Sequence, residues 1–113
     1  MKGKNFLLIL LFSIILKTQL SFADEAKMAK GLEIFNETAG CAACHVLKAA
    51  GSEGNIGPNL DTVEGLNYDS VMDIVTHGLG VMPAFGEDEI LTKEEIDIIS
   101  FYVANSVTKW KIS

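Results

Sequence analysis

The segment Cys41-Ala42-Ala43-Cys44-His45 constrains this chain more than any other, because it holds both cysteines of the sequence and one of its two histidines. Two cysteines at this spacing can form a redox-active disulfide, a structural disulfide, half of a zinc site or an attachment point for a covalently bound group. The choice among these four depends on the compartment in which the chain works and on the elements that surround the motif.

The N-terminus predicts export. Lys2 and Lys4 precede a run of 11 residues, 6–16, that is apolar except for Ser13, and small side chains follow at Ser21 and Ala23. This order is typical of a secretory signal peptide. We therefore predict a signal at residues 1–23 and one domain at residues 24–113, periplasmic or otherwise exported. A membrane-spanning helix needs roughly 20 apolar residues, so no permanent span is expected once the signal is cleaved. An uncleaved N-terminal anchor is the alternative.

The domain left after cleavage is strongly acidic. Three of the nine lysines lie within residues 1–23, whereas all 15 acidic residues remain, which gives a net charge of −9 without any arginine. Nucleic acid is therefore an unsuitable partner, because phosphate binding requires a basic surface. A protein partner with a basic docking surface fits this charge.

Three segments have helical character, and no segment alternates convincingly as a strand would. Residues 25–38 place apolar side chains three or four apart. Asn67 offers an N-cap for a short helix extending to residue 79, and Thr92 with Glu95 forms the T-x-x-E capping box of a final helix. The predicted fold class is all-α, with three main helices and long loops. Such loops are uncommon in a small domain unless they are functional, so we expect them to wrap a bulky ligand.

The surroundings of Cys41 and Cys44 favour covalent haem attachment. A thioredoxin-like pair needs a strand–helix–strand setting, which the pattern lacks, and a disulfide across two residues would stabilise little. A zinc site could take His77 beside His45, but reduced thiolates suit an oxidising compartment poorly. Cys-x-x-Cys-His is instead the motif of c-type haem attachment, in which each thiol bonds to one porphyrin vinyl group and the adjacent imidazole ligates the iron. We predict one haem c with His45 as a metal ligand.

A second iron ligand must come from the opposite side of the ring. Met28 and Met72 lie at helical spacing among apolar neighbours, which is typical of core methionines. Met82 lies in a loop directly before Pro83, and proline restricts the backbone of the residue that precedes it. We therefore predict Met82 as the metal ligand. His77 is the alternative, although a histidine at a helix C-terminus is also favoured by the helix dipole.

With these features in place, the sequence resembles the class I mono-haem cytochromes c of bacteria. The resemblance rests on CAACH at 41–45, GPNL at 57–60 and VMPAF at 81–85, in the order typical of that family. Gly31 and Phe35 match the glycine and the aromatic residue of the family's first helix, which crosses the last helix at close range. The resemblance covers nearly the whole predicted domain.

The resemblance implies a cytochrome c fold, with three main helices and long loops wrapped around one covalently bound haem. It also implies that the Pro58 carbonyl accepts a hydrogen bond from the His45 imidazole, which orients the ring and tunes its basicity. The predicted cofactor-binding residues are therefore Cys41, Cys44, His45, Pro58 and Met82.

Iron held by His45 and Met82 has no open coordination position, so we predict an electron-transfer protein and not an enzyme. The expected function is a monomeric shuttle between a donor complex or dehydrogenase and an acceptor such as a terminal oxidase. The alternatives are a haem subunit held permanently in a larger oxidoreductase and a small peroxidase in which His77 assists. Acidic side chains could guide docking or could form an ordinary solvated loop: Glu53, Glu87, Asp88 and Glu89. Trp110 is expected to pack on the last helix.

Overall fold

The computed structural model describes the backbone of residues 2–111 and the side chains of residues 5–15 and 22–107. Helix α1 (Lys2–Glu33) continues into a π-helical turn (Ile34–Thr38), and a 3₁₀ turn (Cys41–Ala43) follows. Strands β1 (Val46–Leu47) and β2 (Ser52–Glu53) flank a second 3₁₀ turn (Lys48–Ala50). Helices α2 (Tyr68–His77) and α3 (Lys93–Lys111) complete the fold. The all-α class with long loops is confirmed.

Helix α1 crosses α3 at the glycine that the sequence singles out. A Cβ atom placed on Gly31 would lie 2.3 Å from Cβ of Tyr102, so only glycine permits this approach. The rings of Phe35 and Tyr102 lie with their centroids 6.0 Å apart, tilted by 55°. The contact that the resemblance implied between the first and last helices is therefore present.

Both later helices begin with side-chain caps. The Ser70 backbone N–H donates to Asn67 Oδ1 over 3.0 Å, and the Asn67 N–H donates to Ser70 Oγ over 2.9 Å. The Glu95 N–H donates to Thr92 Oγ1 over 3.2 Å, while its carboxylate accepts from the Thr92 N–H over 2.9 Å. Helix α2 ends at His77, two residues earlier than expected, because Gly78 leaves the helix at φ 74°.

An ion pair and a hydrogen bond that share Asp97 join all three helices. Lys27 on α1 lies 2.7 Å from Asp97 on α3, whose other oxygen accepts a hydrogen bond from the Tyr68 hydroxyl at the start of α2 over 2.5 Å. The buried apolar side chains form one continuous core. Its buried members are Ile34, Phe35, Leu47, Val71, Val75, Phe85, Leu91, Ile96, Ile99, Tyr102, Val103 and Val107.

The predicted signal segment and the predicted packing of Trp110 concern the two ends of the chain. The apolar side chains near the start of α1, including Phe6, Ile9 and Phe12, are exposed, yet in the described part of the chain no helix has both the length and the apolar character that crossing a membrane requires. The expected packing of Trp110 lies outside the described side chains.

Candidate cofactor site

A cavity of about 470 Å³ lies between the helical turns of residues 34–43, the glycine-rich loop of residues 51–65 and the loop of residues 78–92 that precedes α3. The walls are almost entirely apolar, and four side chains with metal-binding or nucleophilic atoms reach them: Cys41, Cys44, His45 and Met82. The apolar residues come from the π-helical turn after α1, from α2 and α3, and from the loops that precede these two helices: Phe35, Leu60, Val71, Val75, Phe85, Ile99 and Val103. All four side chains that the sequence predicted as haem or iron contacts are therefore brought together.

Local backbone geometry turns the motif toward this cavity. Gly40 adopts the left-handed conformation at φ 67°, which favours glycine, and the chain then enters the 3₁₀ turn. The N–H groups of Cys44 and His45 both donate to the Cys41 carbonyl, over 3.1 and 3.0 Å. Cys41, Cys44 and His45, which this tight turn holds close together, all line the cavity.

The His45 imidazole is oriented by the glycine-rich loop. Its Nδ1 lies 2.8 Å from the Pro58 carbonyl oxygen, and because a carbonyl only accepts, Nδ1 carries the hydrogen. The neutral ring then has its lone pair on Nε2, the nitrogen available to a metal. A Cβ on Gly57 would lie 2.6 Å from His45 Cε1, so the loop lies directly against the ring.

Ser52 is a positioning residue that the sequence analysis missed. Its hydroxyl donates to the His45 carbonyl over 2.9 Å and accepts from the Leu47 N–H over 3.0 Å. The side chain is buried, and its strand pairs with β1 through the contacts Val46–Glu53 and Leu47–Ser52. Strands of two residues are too short to show an alternating pattern, so the sequence offered no signal for this hairpin.

Met82 is presented by a tight turn. The Leu79 N–H donates to the Met82 carbonyl over 3.3 Å, and the Met82 N–H donates back over 3.0 Å. Gly80 in the turn has φ 60°. The half-buried Met82 lines the cavity, whereas Met28 and Met72 pack against the core outside it. The three methionines therefore occupy the places expected from the sequence.

His77 lies outside the cavity lining. Its Nδ1 is 2.5 Å from Glu87 Oε1 and its Nε2 is 3.7 Å from Asp73 Oδ1. Hydrogen bonding to Glu87, followed by the charges of Glu87 and Asp73, raises the pKa of His77 above its usual 6.5. The zinc alternative required this residue beside the cysteines, and the structure instead pairs it with two carboxylates.

The environment of Cys41 differs from that of a redox-active thiol. Burial raises the pKa of the Cys41 thiol to about 11, whereas cysteines of dithiol oxidoreductases have pKa values at or below about 7. Both cysteines are free, and both line the apolar cavity. Two thiols, an imidazole with an available Nε2 and a thioether on the walls of one apolar cavity fit a haem group better than a hydrated metal ion.

Comparison with known proteins agrees with this geometry. Residues 26–103 match the family model described as cytochrome c oxidase, cbb3-type, subunit III. The chain is 33% identical to the chloroplastic cytochrome c6 of Chlamydomonas reinhardtii, over 88% of this chain and 69% of that protein. It is 32% identical to cytochrome c6 of Rippkaea orientalis (strain PCC 8801 / RF-1), over 92% of both.

A solved structure is similar as well. The crystal structure of the c-type cytochrome SorU from Sinorhizobium meliloti superimposes with a TM-score of 0.66 at 44% identity, covering 74% of this chain and 93% of that one. The matching family model and both cytochrome c6 relatives indicate an electron-transfer protein rather than an enzyme. The chain belongs to the cytochrome c family, as a small mono-haem c-type cytochrome.

Proposed function

We propose that this protein is an exported electron shuttle with one haem c, attached through Cys41 and Cys44 and ligated by His45 and Met82. The observation that carries the proposal is the convergence of these four side chains on one apolar cavity. Bound haem c supplies a one-electron iron couple. The protein's part is to hold His45 by its hydrogen bond to Pro58 and to exclude water with the apolar walls.

The predicted ligand pair has a defined effect on the iron. The thioether of Met82 favours the ferrous state, so His/Met ligation raises the reduction potential relative to two histidines. Apolar walls act in the same direction, because the oxidised site carries the additional charge and loses more on desolvation. The shuttle would accept an electron from a donor complex or dehydrogenase and pass it to an acceptor such as a terminal oxidase.

Residues 1–23 are proposed as the signal peptide, and residues 24–113 as the exported cytochrome domain. The described part of α1 is consistent with this division, because the apolar side chains between Phe6 and Ile15 are exposed and contribute nothing to the buried core. The exported chain would be monomeric and periplasmic, or would occupy an equivalent compartment. Retention of the N-terminus as a membrane tether is the alternative, and the mass of the protein purified from its native host distinguishes the two.

A spectrum tests the haem assignment. The holoprotein should show reduced-minus-oxidised bands of haem c and, in the ferric state, a weak far-red band from sulfur-to-iron charge transfer. Met82→Ala should abolish the far-red band, whereas Met72→Leu and His77→Ala should retain it. Loss of the band in His77→Ala with retention in Met82→Ala would reject the assignment. Cys41→Ala and Cys44→Ala should each reduce the yield of covalently attached haem.

A second candidate function is a haem subunit held permanently in a larger oxidoreductase. The observation that favours it is the matching family model, whose description names a subunit of an oxidase. Purification from native membranes and soluble fractions distinguishes the two functions. A shuttle would be recovered as the free domain, and a permanent subunit would be recovered in stoichiometric complex with larger chains.

A further inference from the structure

The loop that carries Met82 is closed at its base by the end of helix α2. The carbonyl of Thr76 accepts hydrogen bonds from the N–H groups of both Gly86 and Glu87, over 3.2 and 3.1 Å. Residues 78–85 therefore form a short closed loop, with Met82 near its middle. The position of the methionine depends on how firmly the two ends of this loop are held.

The loop also lies tightly against the helices. A Cβ on Gly78 would lie 2.7 Å from the Met82 carbonyl oxygen and 2.9 Å from the Ala84 nitrogen. A Cβ on Gly86 would lie 2.9 Å from Cγ2 of Thr76. Because the loop has so little free space, movement at its base is transmitted to the methionine.

One side-chain contact joins the two ends of this loop. His77 is the last residue of α2, and its Nδ1 lies 2.5 Å from Oε1 of Glu87, the residue that follows Gly86. Asp73, one turn earlier on α2, lies 3.7 Å from His77 Nε2. Each nitrogen of the His77 ring therefore has a carboxylate partner. Because both partners are acidic, they favour the protonated imidazole.

We propose that the His77–Glu87 ion pair is a clasp that closes the loop of residues 78–85 and thereby retains Met82 on the haem iron against competing ligands. The inference rests on the proposed ligation of iron by Met82. His77 and Glu87 lie outside the cavity lining, so they act as positioning residues and not as ligands.

Imidazole competition tests the clasp. The ferric holoprotein is titrated with imidazole, and the far-red band reports displacement of Met82. We expect His77→Gln and Glu87→Gln to bind imidazole roughly two- to five-fold more tightly than the unmodified protein, the range for an exposed ion pair. The difference should shrink in 1 M salt, where the Debye length is only about 3 Å. The double variant should behave like either single variant.

The matched control is Asp88→Asn. Asp88 is exposed in the same segment, and its carboxylate has no hydrogen-bond or ion-pair partner among the described residues, so its substitution changes the local charge as Glu87→Gln does, without opening the clasp. Its imidazole affinity should equal that of the unmodified protein. Equal affinities for His77→Gln, Glu87→Gln and Asp88→Asn would overturn the clasp.

Far-UV circular dichroism separates a local effect on the loop from a global loss of stability. A fall in the thermal midpoint large enough to explain the tighter imidazole binding would overturn a local clasp. The unmodified protein provides the test of the underlying assignment. Absence of the far-red band from it would reject Met82 ligation, whereas its presence with unchanged variants would reject the clasp alone.

Discussion

The Nδ1 atom of His45 lies 2.8 Å from the carbonyl oxygen of Pro58, and Gly57 is what allows the two to meet. The Gly57 N–H donates to the Cys44 carbonyl over 2.7 Å, which ties the glycine-rich loop to the motif itself. The loop thus holds the ring in the tautomer whose lone pair is on Nε2, the nitrogen available to a metal. This relationship leads to the first prediction.

Gly57→Ala should raise the reduction potential. The new Cβ would lie 2.6 Å from His45 Cε1, so the ring or the loop must shift and the hydrogen bond to Pro58 must weaken. A less basic imidazole stabilises the ferric state less. We expect a rise on the order of 50 mV, which corresponds to a roughly tenfold change in the one-electron equilibrium. Redox titration measures it, with exposed Asn55→Ala as the control. An unchanged potential in Gly57→Ala would contradict the role of the glycine.

Gly31→Ala should destabilise the protein although alanine is the better helix former. Helix propensity alone predicts a stabilisation of about 1 kcal/mol, but the Cβ would lie 2.3 Å from Tyr102 Cβ and would separate α1 from α3. We expect a net loss of roughly 1–3 kcal/mol, measured by denaturant unfolding of the holoprotein. Ala29→Gly, at an exposed position of the same helix, reports the propensity effect by itself. A stabilised Gly31→Ala variant would show that the close approach is absent in solution.

Asp97 should make the folding stability of the protein depend on pH. Hydrogen bonds from Lys27 and then Tyr68 hold the pKa of this carboxyl below its usual 3.8. A depressed pKa adds stability at pH values above 3.8, and that stability is lost as the pH falls through the lower folded-state pKa. Asp97→Asn should lose roughly 0.5–1 kcal/mol at pH 7, the range for partly exposed pairs.

Thermal unfolding between pH 7 and pH 2.5 checks the role of Asp97. Unmodified protein and Asp97→Asn should converge at the acidic end, because protonation removes the same charge that the substitution removes. Glu64→Gln, an exposed acid in the glycine-rich loop, serves as the control and should run parallel to the unmodified protein. Parallel curves for Asp97→Asn as well would show that the three-helix contact contributes no pH-dependent stability.

Electron transfer to the physiological partner should slow as salt rises. The acids that were considered for docking are all exposed: Glu53, Glu87, Asp88 and Glu89. Attraction between opposite charges accelerates association mainly at low ionic strength. We expect Asp88→Asn with Glu89→Gln to lower the second-order rate several-fold at low salt and to have little effect at 0.5 M salt. Stopped-flow mixing with the purified partner measures the rate, and Glu25→Gln on α1 is the control. A rate indifferent to salt would reject electrostatic docking while leaving the shuttle function intact.

Features that depend on residues close together in the sequence were predictable from it. A few residues at short spacing are enough to recognise each of these features: the motif at 41–45, the caps at Asn67 and Thr92, and the helical glycine at position 31. Met82 belongs to the same group, because its position before Pro83 distinguished it from the methionines at helical spacing. The structure places all of these where the sequence indicated.

Contacts between distant residues were decided by the tertiary structure. The sequence alone determined the Cys-x-x-Cys-His motif, the helical class and the identity of the side chains proposed to meet a haem, because motif spacing and helix periodicity are local. It left open that the Ser52 hydroxyl holds the His45 carbonyl and that His77 meets Glu87 instead of the cavity. Those contacts arise because packing of α2 and α3 around the apolar core brings together chain segments that no sequence periodicity relates.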